Sequence, residues 1–407
     1  MIEPIEALEI VLKSAKTRDT ITLPLTEADN HVLAETITAA HDVPPFNNSA
    51  MDGYALLADD IVEASKDNPV ELKLIAEQPA GESTDIKVTS GAAIKIMTGA
   101  PVPPGADTVV PIERTQPGDG HVGILVAHRR GANVRLAGED MPKGSLVLEP
   151  GVVIEPVTIG LLASLGYAQV KVYGMPKVAI IGTGNELVPV DEPLTPGKIR
   201  DSNSYTLTAQ TRAVGMPVER IGVAGDTKES VTALVNSALA VADVVVTSGG
   251  VSVGDYDFVK DVLKKMGAEL KFWGVKQKPG KPLAFWTLGD KLIFGLPGNP
   301  VATVLCFEEY VRPALLKIAG RDRLLRPVVK AKLTHDVKKK PGRQHFVGVS
   351  VTNDGTEWLA SVNGRQGSGI LKSMAGANGV GLMPEDLSEL KAGEEIDVQL
   401  IKLPEDH

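Results

Sequence analysis

Residues 242–257 read Ala-Asp-Val-Val-Val-Thr-Ser-Gly-Gly-Val-Ser-Val-Gly-Asp-Tyr-Asp. The β-branched run Val244–Val246 is typical of a buried parallel strand, and Gly249-Gly250 indicate a tight turn with positive φ angles. Phe258–Met266 has the apolar spacing of a helix and is followed by Gly267, which places Asp257 at the helix N-terminus as a cap. The segment therefore predicts a strand, a glycine-rich loop and a helix in succession.

The predicted loop resembles an anion site in its chemistry. Backbone N–H groups of Gly249, Gly250, Ser252 and Gly254, together with the positive end of a helix, favour a phosphate. The carboxylates Asp255 and Asp257 would repel a phosphate unless a divalent cation lay between them, so the loop favours a phosphate bridged by Mg²⁺. The alternative is an ordinary strand-to-helix turn in which Asp257 only caps the helix.

An alternation of strands and helices surrounds this segment. The elements are predicted at Lys177–Gly182 (strand), Ser202–Val214 (helix), Val218–Val223 (strand) and Lys228–Val241 (helix), before the strand at 244–246. This βαβαβ order predicts a mostly parallel sheet covered by helices on both faces. Glu186, Asp226 and Asp257 each follow a strand, so we expect three acids at the carboxyl edge of the sheet, where a cation would compensate them.

Two later loops are expected at the same edge. Lys278 and Lys281 lie in a stiff Pro-Gly loop, which favours an oxyanion site, although a solvated turn has the same composition. A hairpin at Leu283–Leu288 and Lys291–Leu296 then leads to the loop Pro297, Gly298, Asn299 and Pro300. Because Pro300 is suited to the first turn of a helix, we expect the free N–H groups of a helix over Val301–Val311 to face this loop.

Composition limits the class of protein. With 407 residues, 43% hydrophobic and 23% charged, the chain is expected to be a globular protein of two to four domains in the cytoplasm. The net charge of −9 and the absence of basic runs argue against nucleic acid as a partner. The sequence has no run of about 18 apolar residues, so we expect no membrane-spanning segment. Cys306, the only cysteine, is expected to be a small buried residue, and no His-x-x-x-His pair supports zinc.

The regions before and after the predicted parallel sheet are expected to belong to a different structural class, rich in short strands. Pro4–Ala15 has the pattern of an amphipathic helix, and residues 20–173 contain short extended segments with one helix at Pro156–Leu165. Short strands return after Pro327 and suggest a small separate β domain, whose loops contain Arg343 and Ser368. Asp52, followed by Gly53, could be no more than an exposed turn, and Arg343 and Ser368 could simply face water.

Taken together, the motifs resemble those of the molybdopterin molybdotransferases, a family that comprises the bacterial MoeA proteins and the E domain of gephyrin. The resemblance runs from Ile5 to about Leu400 and rests on Pro45–Ala55, Met97–Pro101, Gly138–Asp140, Gly182–Leu187, Thr247–Gly254, Lys278–Pro282 and Gly295–Pro300. It implies an enzyme that inserts molybdate into adenylylated molybdopterin with Mg²⁺ and releases AMP and the molybdenum cofactor. It also implies a homodimer that receives its substrate from a molybdopterin adenylyltransferase.

The resemblance implies a division of the chain as well. Residues 1–18 would form a helix packed on the parallel-sheet domain, and residues 19–44 with 145–173 a linker and dimerisation domain. Residues 45–144 would form a β-rich domain that carries Asp52. Residues 174–326 would form the α/β molybdopterin-binding domain and residues 327–407 a small β-barrel-like domain. In the dimer, the parallel-sheet domain of one subunit would face the Asp52 domain of the other.

Roles for single residues follow from the same resemblance. Catalytic or metal-nucleotide positions are matched by Asp52, Thr98, Asp140, Glu186, Asp226 and Asp257, of which Glu186, Asp226 and Asp257 would hold the metal. Lys278, Lys281, Arg343 and Ser368 match positions associated with molybdate. Two departures are Asn47, where relatives usually carry Asp, and Ala302, where many carry Ser.

Two other functions are compatible with parts of the sequence. An adenylyltransferase acting on molybdopterin would also carry a Thr-x-Gly-Gly loop, but such proteins are much shorter and lack the flanking β domains. A scaffold like the gephyrin E domain would have no need to collect three acids at one edge.

Overall fold

The computed structural model describes residues 1–250, 258–364 and 367–404. Within these ranges the chain forms two compact units, one comprising residues 1–22, 30–32 and the described part of 171–404, and the other residues 23–29 and 33–170. The α-helices are α1 (Pro4–Ser14), α2 (Pro156–Ser164), α3 (Asn203–Ala213), α4 (Lys228–Val241), α5 (Phe258–Lys265), α6 (Pro300–Cys306) and α7 (Arg312–Ile318). Short 3₁₀ turns lie at Leu25–Glu27, Ala58–Ile61, Ile112–Arg114 and Leu371–Ser373.

The first unit contains a six-stranded sheet. Its strands lie in the order Val218–Ala224, Val178–Thr183, Val244–Ser248, Lys291–Leu296, Ala284–Leu288 and Glu269–Trp273. The first four are parallel to one another, and the last two are antiparallel to their neighbours. The predicted mostly parallel sheet is thus confirmed. The edge strand Glu269–Trp273 was not predicted, because its alternating charged residues, Glu269 and Lys271, are those of a half-exposed edge.

Both faces of this sheet are buried. Val178, Ile180, Val244 and Val246 pack into one apolar cluster with α1, α3, α6 and α7. Ala179, Ile181 and Val245, which alternate with them along the strands, pack into a second cluster with α4 and α5. Because successive strand side chains point to opposite faces, a continuous β-branched run is what a sheet covered on both sides requires. The doubly wound α/β class is confirmed.

The helical run from Pro300 to Ile318 changes its winding once. A π-helical turn at Phe307–Val311 separates α6 from α7. Pro313, in the first turn of α7, has no N–H, and a proline ring within a regular α-helix clashes with the carbonyl four residues earlier. The wider turn relieves this conflict, so the helical stretch continues to Ile318, beyond the helix predicted over Val301–Val311.

The C-terminal part of the same unit is a closed barrel of five strands. They are Val328–Leu333, Gln344–Asn353, Trp358–Val362, Gly379–Met383 and Glu395–Leu400, and each pairs with two others. The predicted small β-barrel-like domain is confirmed. Strand Gly379–Met383 was missed because its glycines have low β-propensity. The barrel needs them, since a Cβ at Gly379 would lie 2.7 Å from Val398 Cγ1.

The second unit is β-rich, as predicted, and contains α2. Its main sheet has the order Thr108–Pro111, Gly53–Leu56, Ala92–Ile96, Val70–Gln78, His121–Ile124 and Thr115–Pro117. Further short strands of the chain are Thr20–Pro24, Ile37–Thr38, Asn48–Ser49, Val134–Arg135, Leu146–Leu148, Gln169–Tyr173, Leu187–Val188, Ile199–Arg200, Gln277–Lys278, Val337–Lys338 and Glu389–Leu390. The finer division of the chain into five segments stays a prediction.

Candidate functional site

A cavity of about 530 Å³ lies at the carboxyl ends of the parallel strands. Two of the three predicted acids, Glu186 and Asp226, line it, and so do Gly249 and Gly250. The edge of a parallel sheet is where loops from neighbouring strands converge, which explains why residues distant in sequence meet here. The other lining residues include Thr183, Gly184, Arg200, Asp201, Ser202, Asn203, Ser248, Pro282, Pro297, Gly298, Asn299 and Pro300. We call this the acid-lined cavity.

The loops that carry the two acids are bonded to each other. Asn185 N donates to Asp226 Oδ2 over 3.1 Å, and Asp226 N donates to Asn185 Oδ1 over 3.0 Å. Since these loops follow the adjacent strands Val178–Thr183 and Val218–Ala224, the reciprocal pair joins the two loops and holds the carboxylate of Asp226 against the backbone of Asn185. The side chain of Asp226 is therefore held in a defined orientation.

The glycine turn after strand Val244–Ser248 is determined by close packing. Gly249 has φ +88° and Gly250 has φ +67°, both in the left-handed region. A Cβ on either residue would approach Thr183 Oγ1 to 2.7 Å and 2.9 Å, respectively. Thr183 Oγ1 in turn donates to Ser248 O over 3.2 Å. Only glycine fits, which agrees with the predicted tight turn. Ser252, Gly254, Asp255 and Asp257 lie outside the described residues.

The loop Pro297–Pro300 also lines the acid-lined cavity. Asn203, at the start of α3, donates through Nδ2 to Ser248 Oγ and to Gly298 O, both over 2.8 Å. The amide therefore joins three elements around the cavity. Asn203 and the preceding Asp201 were not predicted as site residues. Their position between a strand and the helix predicted from Ser202 was the available signal, because such positions face the carboxyl edge of a sheet.

A second cavity of about 430 Å³ adjoins the first, with Pro282, Pro297 and Asn299 lining both. The four residues predicted for an oxyanion, Lys278, Lys281, Arg343 and Ser368, all line it. Sequence reasoning missed three further residues of this wall, Lys338, Lys339 and His345. The run Lys338–Lys340 was a signal that could have identified the first two. We call this the cation-lined cavity.

The positive charges of the cation-lined cavity act on one another. Burial, and then the positive charge of Lys278, lower the pKa of Lys339. Burial lowers the pKa of His345 to about 4, with further contributions from Lys278, Lys339 and Arg343. His345 is thus neutral at pH 7 in a strongly positive environment. Among the described residues, no ion pair of Lys278, Lys281 or Arg343 is recorded, so the cavity has the electrostatics of an anion site.

A buried network supports the loop that carries Lys278 and Lys281. Gln277 is fully buried, accepts a hydrogen bond from Tyr310 Oη, and donates to Pro279 O over 3.1 Å. Gly280 has φ +98°, and a Cβ there would lie 2.6 Å from Cys306 Sγ. Cys306 is fully buried and burial raises the pKa of its thiol, which confirms the expected packing role. The buried side chains of Gln277, Tyr310 and Cys306 therefore support the loop that carries Lys278 and Lys281.

The remaining predicted catalytic residues lie in the second unit. Asp52 Oδ1 accepts hydrogen bonds from Thr98 N and Thr98 Oγ1, each over 2.7 Å. These bonds, that of the backbone first, lower the pKa of the Asp52 carboxyl below its usual value, so that it is ionised at neutral pH. Gly53 is required beside it, since a Cβ would lie 2.0 Å from Val110 O. Asp140 is exposed in the same unit, and its N–H donates to Val43 O over 3.0 Å.

The residues of the acid-lined cavity suit a magnesium ion. Mg²⁺ prefers oxygen ligands and is commonly held by one or two carboxylates together with substrate phosphates, which Glu186 and Asp226 could provide. Within residues 1–250, 258–364 and 367–404 no group of three or more His, Cys, Asp or Glu side chains is placed to hold a metal. Asp257, the third predicted ligand, lies outside these ranges. No helix in the described ranges is long and apolar enough to cross a membrane.

The fold and these cavities define a multidomain α/β protein with an acid-lined and a cation-lined site at one sheet edge. The family model of the MoeA N-terminal region (domain I and II) matches residues 2–166, and that of the MoeA C-terminal region (domain IV) matches residues 330–401. Between them, a model described as a probable molybdopterin binding domain matches residues 179–317.

Similar proteins cover nearly the whole chain. A molybdopterin molybdenumtransferase from Nostoc sp. is 35% identical over 400 residues, covering 97% of this chain and 91% of the relative. One from Staphylococcus epidermidis is 35% identical over 395 residues, covering 97% and 94%. The crystal structure of the molybdopterin biosynthesis MoeA protein from Pyrococcus horikosii has a TM-score of 0.80 at 35% identity and covers 99% of each chain. The chain belongs to the MoeA family of molybdopterin molybdenumtransferases and is an enzyme, as the sequence predicted.

Proposed function

We propose that the protein inserts molybdenum from molybdate into adenylylated molybdopterin and releases AMP and the molybdenum cofactor. The observation that carries this proposal is the pair of adjoining cavities of opposite charge, which share Pro282, Pro297 and Asn299. In outline, water hydrolyses the phosphoanhydride, and the two thiols of molybdopterin replace one oxygen of molybdate, which leaves as water with their two protons. The reaction thus needs an anion site beside a site for a metal-bound phosphoanhydride.

In the acid-lined cavity, Glu186 and Asp226 would hold Mg²⁺ together with Asp257. The ion would neutralise charge on the phosphoanhydride and polarise it for hydrolysis. The chain orients one of these ligands, because the reciprocal hydrogen bonds between Asn185 and Asp226 hold the carboxylate of Asp226 in place. The turn at Gly249 and Gly250 allows the substrate to approach the backbone closely.

In the cation-lined cavity, Lys278, Lys281 and Arg343 would bind molybdate, and Ser368 would donate a neutral hydrogen bond. Molybdate is a dianion and the protein carries a net charge of −9, so binding depends on a local group of cations. The wall that the two cavities share would keep the oxyanion next to the pterin substrate. Proximity of this kind lowers the entropic part of the barrier.

Asp52 is proposed to act as an ionised carboxylate that handles protons, with Thr98 fixing its orientation and Asp140 in a supporting role. By resemblance to the family, the active form would be a homodimer in which Asp52 of one subunit completes the site of the other. Asp52→Ala and Asp226→Ala proteins, each inactive, should then regain activity when they are mixed and their subunits exchange. Continued inactivity after proven exchange would show that each chain works alone.

The direct test is to incubate the purified protein with adenylylated molybdopterin, molybdate and Mg²⁺, and to measure AMP and molybdenum cofactor. We expect both products, and neither should require ATP. Omitting Mg²⁺ should suppress both products. Formation of adenylylated molybdopterin from molybdopterin and ATP would instead identify an adenylyltransferase. A molybdopterin adenylyltransferase would be the upstream enzyme, so both this enzyme and ATP should be needed for product formation when molybdopterin is the starting material.

A further inference from the structure

A third carboxylate in the acid-lined cavity has no role in the proposal above. Asp201 follows the short strand Ile199–Arg200, precedes α3 and lines the cavity. It is only 6% exposed, whereas Glu186 is exposed and Asp226 is partly exposed. A carboxylate buried to this extent is costly unless hydrogen-bond donors or positive charge compensate it.

The protein supplies little of that compensation. Asp201 Oδ1 accepts one hydrogen bond, from Ser204 N over 3.0 Å. The nearest basic residues in sequence are directed elsewhere, since Lys198 Nζ donates to Asn185 O and Arg200 Nε donates to Val190 O over 2.8 Å. Among the described residues, Asp201 forms no ion pair. The carboxylate therefore retains acceptor capacity for another molecule.

The second oxygen of Asp201 lies beside Gly182 and Ser204. A Cβ at Gly182 would lie 3.4 Å from Asp201 Oδ2 and 3.3 Å from Ser204 Oγ. Ser204 is 2% exposed, and its Oγ is a buried hydroxyl that has no hydrogen-bond partner in the described part of the chain. Asp201 Oδ2 and Ser204 Oγ thus both lie close to Gly182, and Asp201 itself lines the cavity. A buried hydroxyl without a partner, such as Ser204 Oγ, is uncommon and calls for one.

Helix capping explains only part of this arrangement. Asp201 Oδ1 does satisfy an N–H in the first turn of α3, as a cap would. The next helix of the same sheet, α4, is capped by Thr227, a neutral side chain whose Oγ1 accepts from Ser230 N over 3.2 Å. An uncharged hydroxyl is therefore sufficient to cap a helix at this edge of the sheet. Capping accounts for neither the buried charge of Asp201 nor the unpartnered Ser204 Oγ.

We propose that Asp201 binds the 2-amino-4-oxopyrimidine edge of the pterin. That edge presents two neighbouring donors, the ring N3–H and the 2-amino group, which match the two oxygens of a carboxylate. The edges of adenine place a ring acceptor beside the 6-amino donor, so a carboxylate there would face a lone pair. Asp201 thereby selects the pterin half of the substrate, and the nucleotide half lies elsewhere in the cavity. This inference rests on the proposed function for the identity of the heterocycle.

The test compares two heterocycles and two proteins by calorimetric titration. 6-Hydroxymethylpterin and 6-hydroxymethyllumazine differ at C2, where the first has an amino group and the second an oxo group. Wild-type protein should bind the pterin about ten- to hundredfold more tightly, the effect of a charge-assisted hydrogen bond. Asp201→Asn keeps an oxygen for Ser204 N but presents an NH₂ to the ligand, so it should lose most of this preference. AMP affinity should stay unchanged.

A preference for the pterin that persists in Asp201→Asn overturns the inference, and so does a wild-type protein with no preference. Kinetics give an independent measure: Asp201→Asn should raise the KM for adenylylated molybdopterin about ten- to hundredfold and leave the half-saturating molybdate concentration unchanged. Thr227→Ala, which removes the cap of α4, should change neither quantity. If wild-type protein transfers no molybdenum at all, the proposed function fails. If it does and Asp201→Asn behaves like it, only the role of Asp201 fails.

Discussion

The acid-lined and cation-lined cavities are neighbours with opposite electrostatics. In the first, Glu186 and Asp226 belong to strand-end loops that are joined by hydrogen bonds between backbone N–H groups and the side chains of Asn185 and Asp226. In the second, Lys278 and Lys281 belong to a loop supported by fully buried side chains. Carboxylates suit a cation or a donor-bearing heterocycle, whereas unpaired cations suit a dianion. From this difference we expect that each cavity binds its own substrate and that chemistry occurs where they share a wall.

Removing charge from the acid-lined cavity should have the largest effect. Asp226→Asn retains an acceptor for Asn185 N but loses a metal ligand, so turnover should fall by at least about a hundredfold, while the half-saturating molybdate concentration stays the same. The measurement is AMP release at saturating substrates. Asp243→Asn, at the opposite end of the same sheet, is the matched control and should retain wild-type turnover. Wild-type turnover in Asp226→Asn would remove this residue from the metal site.

The reverse pattern is expected in the cation-lined cavity. Lys281→Ala or Arg343→Ala should raise the half-saturating molybdate concentration about ten- to hundredfold, because one charge-assisted hydrogen bond is lost. Excess molybdate should restore turnover, since the acid-lined cavity is intact. Lys330→Ala, which removes an exposed lysine paired with Asp397 on the barrel, is the control. An unchanged half-saturation value in Lys281→Ala would mean that this loop is a solvated turn.

The support beneath the oxyanion loop can be tested separately through stability. Gly280→Ala places a Cβ 2.5 Å from Gln277 Nε2 and 2.6 Å from Cys306 Sγ, in a backbone conformation with φ +98°. We expect the free energy of unfolding to fall by about 2–4 kcal/mol, from backbone strain and overpacking together. Gly355 has a similar φ of +92°, but a Cβ there would meet no atom within 4 Å. The fall in unfolding free energy of Gly355→Ala, measured by urea titration, therefore reports backbone strain alone. Equal losses in the two variants would contradict the packed support.

These contrasts also show what the sequence could reveal. The parallel sheet was predictable because Val244–Val246 and its neighbours are apolar on both faces. Lys278 and Lys281 could be placed in one loop because their motif is contiguous, whereas their role in binding an oxyanion stays a prediction. Asp201 and His345 were not predictable, because their burial depends on the position of distant segments such as the strand pair formed by Lys278 and His345. The strand Gly379–Met383 was missed because Gly379 serves packing against Val398 and Gly381 packing against Ile396, which only the closed barrel reveals.

His345 should make stability depend on pH. Its pKa in the folded protein is about 4, whereas an unperturbed histidine has a pKa near 6.5. Between these values the unfolded chain binds a proton that the folded protein does not, so the free energy of unfolding should fall as the pH is lowered from about 6.5 to 4. Urea titrations over this range should show a smaller fall for His345→Gln than for wild type. Identical pH dependence in both proteins would show that His345 is not protected from protonation.

The smallest effect is expected behind the oxyanion loop. Lys276 Nζ lies 2.9 Å from Glu385 Oε1 and 3.2 Å from Glu3 Oε1, which ties the barrel and the N-terminal segment to this loop. The ion pairs are partly exposed and surface ion pairs contribute little, so Glu385→Gln should raise the half-saturating molybdate concentration by less than about fivefold. The rise should shrink at high salt. A tenfold rise in this titration would instead give the ion pair a main role in molybdate binding.

The central claim is that molybdate binds in the cation-lined cavity independently of Glu186 and Asp226 in the acid-lined cavity. Equilibrium dialysis of molybdate against the purified protein, without pterin or nucleotide, tests it directly. We predict that Asp226→Asn binds molybdate with wild-type affinity and that Lys281→Ala binds it about ten- to hundredfold more weakly. Wild-type affinity in Lys281→Ala, or weakened binding in Asp226→Asn alone, would contradict the assignment of separate substrates to the two cavities.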